Sequence, residues 1–490
     1  MDHQPLLPGH RPWPDSHSSI DVVGTVGFAA DAQGKWFTSP MSPSPDSALE
    51  VALTEAIRSA RLLDVALAFP DTNSRTIEGA AVADLLVGLA SRNEARGLSV
   101  RGLVIEGDVP LRHLAWSGPL KLDDCRINGD VQLSYARIDG ELSFKGSEVD
   151  TLALNYARVE GRVACAGLVA RRGLFALGCH ITGSLTLQLA VLSAPSEPER
   201  RNRAALDLYR GVIGDLYANG AILEGGFYAL GATFERNVRL AGAQVWPRAA
   251  LGWEQGTDVG NGVDLTGATV GSSIYLWTTA KGPLKVHGGT IRLRNASCRI
   301  LRAQAHQLGT DADLEGFTYS DIGPLTGAEM LAALDKQSPL PRKGYAQLAS
   351  HAELIGDPGL RRAAMVHQQK RLGAQWRWRS PSRIRHELYG FLTAYGYAPG
   401  RALGWLVGCV ALASILVRSQ GAYLRSSNGA ASLESWPAAI AYTLDQIMPF
   451  ASSGYSDLWS YVPTNEVAWI WYYAFTLLKF AAWALAALAL

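Results

Sequence analysis

Motifs that usually announce an enzyme are missing from this chain of 490 residues. There is no Walker A sequence, no His-Glu-x-x-His, no Cys-x-x-Cys pair and no Gly-x-Ser-x-Gly, so phosphate-loop, zincin, thiol-redox and nucleophile-elbow signatures are all absent. The glycines Gly260-Asn261-Gly262 lie between apolar columns and form no strand-to-helix dinucleotide turn. His113, His180, His287 and His306 stand apart, without ligand spacing. No catalytic, cofactor-binding or metal-binding residue is therefore assigned, and an enzyme would need a site assembled from distant segments. Cysteine is scarce as well. Cys125, Cys165, Cys179, Cys298 and Cys409 form an odd, scattered set on apolar positions, as expected of buried thiols in a reducing compartment. A net charge of +1 gives no reason to expect nucleic acid as the main partner. Met1 to Ser19 is rich in Pro, His and Ser and has no apolar core, so no secretory signal peptide is read there.

What the chain does have is a repeat of eleven residues between Leu120 and Ile300. From Gly214 to Trp246 four columns align: Leu216, Phe227 and Val238; Ala218, Ala229 and Leu240; Ala221, Ala232 and Ala243; Leu223, Phe234 and Val245. Within a unit such as Val131, Leu133, Ala136 and Ile138 the apolar residues sit two, three and two apart. Spacing of two is the strand period, so each unit is two short strands joined at a corner. Gln132, Ser134, Arg137 and Asp139 alternate with them and should face water. The small residues Cys125, Ala136, Ala157, Cys179 and Ala190 suit a tight interior corner, and Gly129, Gly140, Gly161 and Gly183 are expected to supply turn conformations. Fixed columns at a fixed period mean stacked rungs, because one rung cannot bury its apolar face alone. The predicted fold class is mainly β: a narrow right-handed β-helix over residues 99–324.

The register slips by one residue near Thr151, and polar insertions follow at Ser193 to Arg203 and Pro247 to Asn261. These read either as binding loops for an unknown protein or ligand or as tolerated surface bulges. Residues 1–45 read as weakly ordered apart from a strand at Ile20 to Phe28. Helical spacing in Ala48 to Leu63 and Val82 to Leu89 makes residues 46–98 a helical cap on the first rung.

Beyond the rungs, residues 325–396 read as helix, with Asp357-Pro358-Gly359 breaking Pro341–Ile355 from Leu360–Gln375. Leu360 to Arg385 carries Arg361, Arg362, Lys370, Arg371, Arg377, Arg379, Arg383 and Arg385, together with Trp376 and Trp378, and no acidic residue. Basic residues mixed with tryptophan ahead of an apolar segment describe a helix lying on anionic membrane lipid. Residues 397–490 then read as a hairpin that crosses the membrane at Ala402–Val417 and again at Val467–Leu490, with Trp469, Trp471, Tyr472 and Tyr473 as an interfacial belt. The positive charge before Ala402 places that side, and the repeats, in the cytoplasm.

Trp436 to Phe450, between the crossings, is too short to span and reads as an interfacial or re-entrant helix. It contains Asp445, and Lys479 lies in the middle of the second crossing. The two form a candidate intramembrane pair inside an oligomeric bundle; otherwise Lys479 snorkels or marks a shifted boundary. The order helix, short helix, turn, helix is also that of a two-helix pore. Ser453, Gly454, Tyr455, Ser456 and Asp457 stand where a potassium filter carries Gly-Tyr-Gly-Asp. Ser456 replaces the second glycine and Pro449, Phe450 and Ala451 replace the threonines, which argues against potassium selectivity and leaves a less selective pore open.

Several stretches together resemble a family of bacterial membrane proteins with pentapeptide-like repeats and a C-terminal pair of membrane helices. They are Pro119 to Ile127, the Gly-Ala-x-Val and Gly-Ala-x-Phe units, Tyr345 to Ala349, Gln368 to Arg371 and Tyr395 to Leu403. The resemblance covers roughly Val82 to Leu490 and implies a four-sided coil of about 22 residues, two pentapeptide repeats plus one residue per unit. Some members carry the label membrane-associated oxidoreductase, for which no cofactor residues are visible here. Members also continue into a short basic tail where this sequence has Leu490. The expected function is a membrane-anchored scaffold or sensor at the bacterial inner membrane, homo-oligomeric through its membrane helices. A solenoid-gated pore is the alternative, and an oxidoreductase rests on the family label alone.

Overall fold

A computed structural model describes residues 48–489, apart from 196–203, 248–261, 310–311, 378, 420–423, 427–432, 434, 448–455 and 462–465. The segment 1–45 and its expected strand therefore lie outside the described residues. Parallel strands dominate the middle of the chain, and their pairing follows the columns. Leu98, Leu120, Leu142, Val163, Leu185, Leu216, Val238, Ile274 and Leu301 stand side by side in one row. The step from Leu98 to Leu120 and on to Leu142 makes one coil 22 residues long. Three further rows run through Ile105 and Ile127, through Val109, Val131 and Leu152, and through Trp116, Ile138 and Val159. Each coil thus has four sides and each eleven-residue unit supplies two of them.

Alternation explains which side chains go inside. Val131, Leu133, Ala136 and Ile138 are buried, while Gln132 and Ser134 are half-buried and Arg137 and Asp139 exposed. Strand geometry sends successive side chains to opposite faces, so a two-residue spacing fills the interior with one set. Two of the four rows merge into a single sheet because the strands His180–Thr186, Val212–Tyr217, Thr269–Tyr275 and Ser297–Arg302 run through the corner between them. The one-residue slip is visible in the pairing. Arg126 faces Glu148 across 22 residues, whereas Val131 faces Leu152 across 21, so the missing residue falls in the corner between two sides.

The glycines act differently from the sequence expectation. Gly129, Gly140, Gly161 and Gly183 are needed for closeness, because a Cβ on Gly161 would lie 2.8 Å from the Gly140 carbonyl oxygen and one on Gly183 would lie 2.6 Å from that of Gly161. Positive φ is found instead in another corner column, at His113, Tyr135, Tyr156 and Gly178 with φ of 60°, 62°, 57° and 56°. The rings of His113, Tyr135 and Tyr156 stack at 5.1 Å spacing. Gly178 ends that ladder, where a Cβ would meet the Tyr156 ring at 2.8 Å.

Helices close both ends of the stack, so the described chain mixes parallel β-sheet with α-helix. At the N-terminal end lie α1 (Ala48–Ser59), the short α2 (Val65–Ala68) and α3 (Gly79–Ser91). Leu62–Asp64 and Thr76–Glu78 between them already pair with the first full coil, so the stack starts inside the region expected to be only a helical cap. Helix α3 follows Thr76–Glu78 at the place where the next coil has two strands, and its Val82, Ala83, Leu86 and Leu89 join the common core. At the other end α4 (Gly327–Lys336), α5 (Arg342–Leu354) and α6 (Pro358–Ala374) follow the last strand, Ala312–Asp313. Met330, Leu334, Tyr345 and Leu348 share one core with Leu308, Leu314 and Phe317. Buried Gln337 receives the Leu314 amide on its Oε1 and donates Nε2 to the Leu308 carbonyl, which serves backbone groups that a further coil would otherwise pair.

The two expected insertions widen the step from Leu174 to Leu206 to 32 residues and from Phe227 to Val263 to 36. Their inserted residues, 196–203 and 248–261, lie outside the described residues, and the binding-loop expectation lies there with them. A third interruption had no sequence signal: Trp277–Thr278 and Gly282–Pro283 form a small antiparallel hairpin. The C-terminal part continues with α7 (Pro381–Thr393), α8 (Pro399–Ser419), α9 (Trp436–Ile447) and α10 (Glu466–Ala489). Leu424–Ser426 pairs antiparallel with Trp459–Tyr461 between them.

Candidate functional site

The basic stretch begins on α6, whose start is set by Asp357: its side chain accepts the Leu360 amide, and Pro358 occupies the first turn. Arg371 was expected to face lipid. The structure turns it inward instead, where its Nη1 donates to the Leu334 carbonyl at 2.7 Å and its Nη2 to the Gln337 carbonyl. Leu334 lies in the last turn of α4, where its carbonyl also accepts the Gln337 amide, and Gln337 is the residue that caps the helix, so the guanidinium sits at the negative end of the helix dipole. The same Nη1 lies 3.3 Å from the Tyr345 hydroxyl, which donates to Asp335 Oδ1 at 2.6 Å, and His367 Nδ1 lies 2.7 Å from Asp335 Oδ2. Burial first, then the Asp335 carboxylate, push the Tyr345 phenol up to about 12 against the pull of Arg371. At neutral pH the phenol therefore stays protonated and donates. Arg371 is thus a bolt between α4, α5 and α6.

The remaining basic residues point outward. Arg362, Lys370, Arg377, Arg379 and Arg385 are exposed, and Arg361 is exposed 3.7 Å from the Glu353 carboxylate. Arg383 is half-buried and donates to the Trp376 carbonyl. Trp376 is largely exposed, with its ring edge-on to His386. Trp378 lies outside the described residues. Helix α7 was not separated from α6 by the sequence reading, yet its boundary is well marked: Ser380 caps it by accepting the Arg383 amide, and Pro381 opens it. Ile384, Leu388 and Phe391, at helical spacing on α7, are all more than half exposed. Side by side with Arg377, Arg379 and Arg385 they give this segment an apolar stripe flanked by cations.

Helix α8 packs on α7 through Phe391 and Trp405, whose rings are 4.9 Å apart. Among the described residues one helix, Gly400–Ser419, is long and apolar enough to cross a membrane. Only 22% of its apolar window is buried. The burial within α8, α9 and α10 follows size in an unusual sense. Ala402, Ala413, Ser414, Ala439, Thr443 and Ala482 are fully buried, while Val407, Leu412, Ile415, Ile470, Leu477 and Phe480 are about half exposed or more. Several small residues sit at the helix contacts together with Val417, Tyr442 and Ile447, and many of the large apolar residues point away.

The expected contact of Asp445 with Lys479 takes another form. The Lys479 ammonium donates to Gln446 Oε1 at 2.9 Å and stands 5.3 Å from the Trp483 ring centre. Asp445 is buried one residue away, and its Oδ2 accepts the Ser456 amide at 2.8 Å. Gln446 is the partner that sequence reasoning missed, although it adjoins the residue that was chosen. Of the candidate pore loop, Ser453, Gly454 and Tyr455 lie outside the described residues; Ser456 and Asp457 form a short turn, Ser456–Leu458, with Asp457 exposed.

The described residues contain no group of three or more His, Cys, Asp or Glu placed to hold a metal ion. Burial pushes the thiols of Cys125, Cys179 and Cys298 up to about 12 and raises Cys165 further. Nucleophilic and redox cysteines need the opposite shift. Comparison of the chain with protein-family models, with curated proteins and with solved structures gave no significant match.

Proposed function

We propose that the chain is a membrane-anchored scaffold in which α8 and α10 cross a bilayer, α7 lies along its surface, and the coils form a right-handed β-solenoid at the cytoplasmic face of a bacterial inner membrane. The observation that carries this reading is the exposure of many large apolar side chains along α8 and α10, with small residues at several of the helix contacts. In lipid there is no hydrophobic gain from hiding Leu or Phe between helices, so close packing selects Ala, Ser and Thr at the contacts and leaves large apolar residues outside. In water the same arrangement would expose an apolar patch far larger than soluble monomers carry. Helix α10, with 24 residues, would be about 36 Å long, sufficient for the hydrocarbon core of about 30 Å. The cations of α6 and α7 precede α8 and favour the cytoplasmic side.

The scaffold part of the proposal is supported by the shared core that joins the coils to α4, α5 and α6, and by the Arg371 bolt that fixes α6 to α4. A partner held on the coils would be held at a set distance from the membrane. Alkaline carbonate extraction of membranes from expressing cells tests the anchor. The chain should stay in the pellet, and release into the supernatant would end the reading. Protease added outside spheroplasts should cut between α8 and α10 and spare the coils.

A further inference from the structure

A cavity of about 430 Å³ opens between α8, α9 and α10, lined by Leu416, Tyr442, Trp471, Phe475, Phe480 and Trp483 and reached by one cation, Lys479. Its volume falls within the range of about 300–1,000 Å³ usual for small-molecule sites, which join an apolar lining to a few placed polar groups. Lys479 is half-buried midway along α10. Its contacts are uncharged, the Gln446 amide oxygen and the Trp483 ring face. Asp445, the nearest acidic residue in sequence to Gln446, does not line the cavity. A half-buried ammonium facing an apolar wall is costly unless an anion or water meets it. Charge and shape therefore ask for the same occupant: an anionic head at Lys479 and an apolar tail along the aromatic wall.

We infer that this cavity is a binding site for a membrane-borne amphiphile with a carboxylate head and an acyl tail. The Lys479 ammonium pairs with the carboxylate, Gln446 holds the ammonium on the cavity side, and Trp471, Phe475 and Trp483 pack along the chain. An ion pair formed there is shielded from water and so is stronger than one at the protein surface. The inference rests on the membrane reading only for the supply of the ligand; binding itself is measured on the full chain in non-ionic detergent and does not depend on insertion.

Brominated stearate is titrated against the purified full chain, with the matching brominated alcohol as the uncharged control, and quenching of tryptophan fluorescence is read. The acid should give a saturable component that the alcohol lacks, since Trp471 and Trp483 line the cavity. Lys479→Met should weaken that component by about tenfold or more, and Lys479→Arg should keep it, which separates loss of charge from loss of fold. Equal quenching by acid and alcohol, or unchanged acid binding in Lys479→Met, overturns the inference. So does a stable dimer that covers the cavity and excludes the acid. Carbonate extraction of the same variants reports on the anchor separately.

Discussion

In the coil stack Phe144, Phe175, Phe227 and Phe234 are fully buried, and the residues left outside are largely arginine, aspartate and glutamate. In α8, α9 and α10 the fully buried side chains include Ala402, Ala413, Ala439 and Ala482, with Val417, Tyr442 and Ile447 buried beside them, whereas Leu477 is 70% and Phe480 61% exposed. The coils thus enclose their large apolar residues, and the helices leave many of theirs at the surface. On the proposed membrane reading each region would minimise the surface that its own surroundings penalise: apolar surface for coils in water, and loose helix contacts for a bundle in lipid. On that reading the change of medium would fall along α7, which has exposed apolar and basic residues together.

The largest effect expected from breaking this comparison is in the coils. Phe234→Ala should lower stability by about 3–5 kcal/mol, read by protease susceptibility of the whole chain. The matched deletion in the bundle, Leu477→Ala, should cost under about 0.5 kcal/mol. Equal losses at both sites would show that the bundle buries its large residues after all.

Next in size is Asp215, which is buried and accepts from Arg236 Nε and from the Asn237 amide and side chain. Burial alone would raise its carboxyl, but Arg236 and Asn237 outweigh it and hold the group below the usual range. A depressed folded value means that its stabilisation is complete above the unfolded carboxylate value of about 3.9 and is lost as pH falls through the folded value. Asp215→Asn should therefore cost about 2 kcal/mol near neutrality. It should also flatten the acid limb below about pH 4; an unchanged acid limb in melting curves would remove Asp215 from that account.

The reverse substitution sharpens the comparison from the other side. Ala413→Leu in the bundle should destabilise by about 1–2 kcal/mol through overpacking of the α8 contacts, seen as a lower melting temperature in detergent. Smallest is a purely chemical effect. Cys125, Cys179 and Cys298, with thiols near 12, should have about one thiolate in ten thousand at pH 8. They should resist maleimide until the coils unfold, and rapid native labelling would contradict the buried columns.

Much of this architecture was legible because it repeats. Columns such as Leu216, Phe227 and Val238 state the interior side of each strand several times over, and the slip near Thr151 could be counted directly from residue spacing. Single events carried no such signal. Leu62–Asp64 and Thr76–Glu78 are three-residue strands with at most one buried side chain each, too little for alternation to show. The hairpin at Trp277 interrupts the pattern only once. Arg371 sits among arginines that face water, and its partners are backbone carbonyls of α4 more than thirty residues earlier, so composition alone put it with the lipid-facing set. For Lys479 the cost of a buried charge located the region, while Gln446 depended on how α9 meets α10.

The absent residue near Thr151 has a consequence for how such a chain changes length. Because the loss falls in a corner, Val131, Leu152 and Leu174 still stand in line, and no side chain is turned to the wrong face. Corners therefore act as expansion joints. Whole coils can be spliced in or out with the same freedom, so the distance between the first helix and the C-terminal helices would vary in single-coil increments, like the links of a measuring chain.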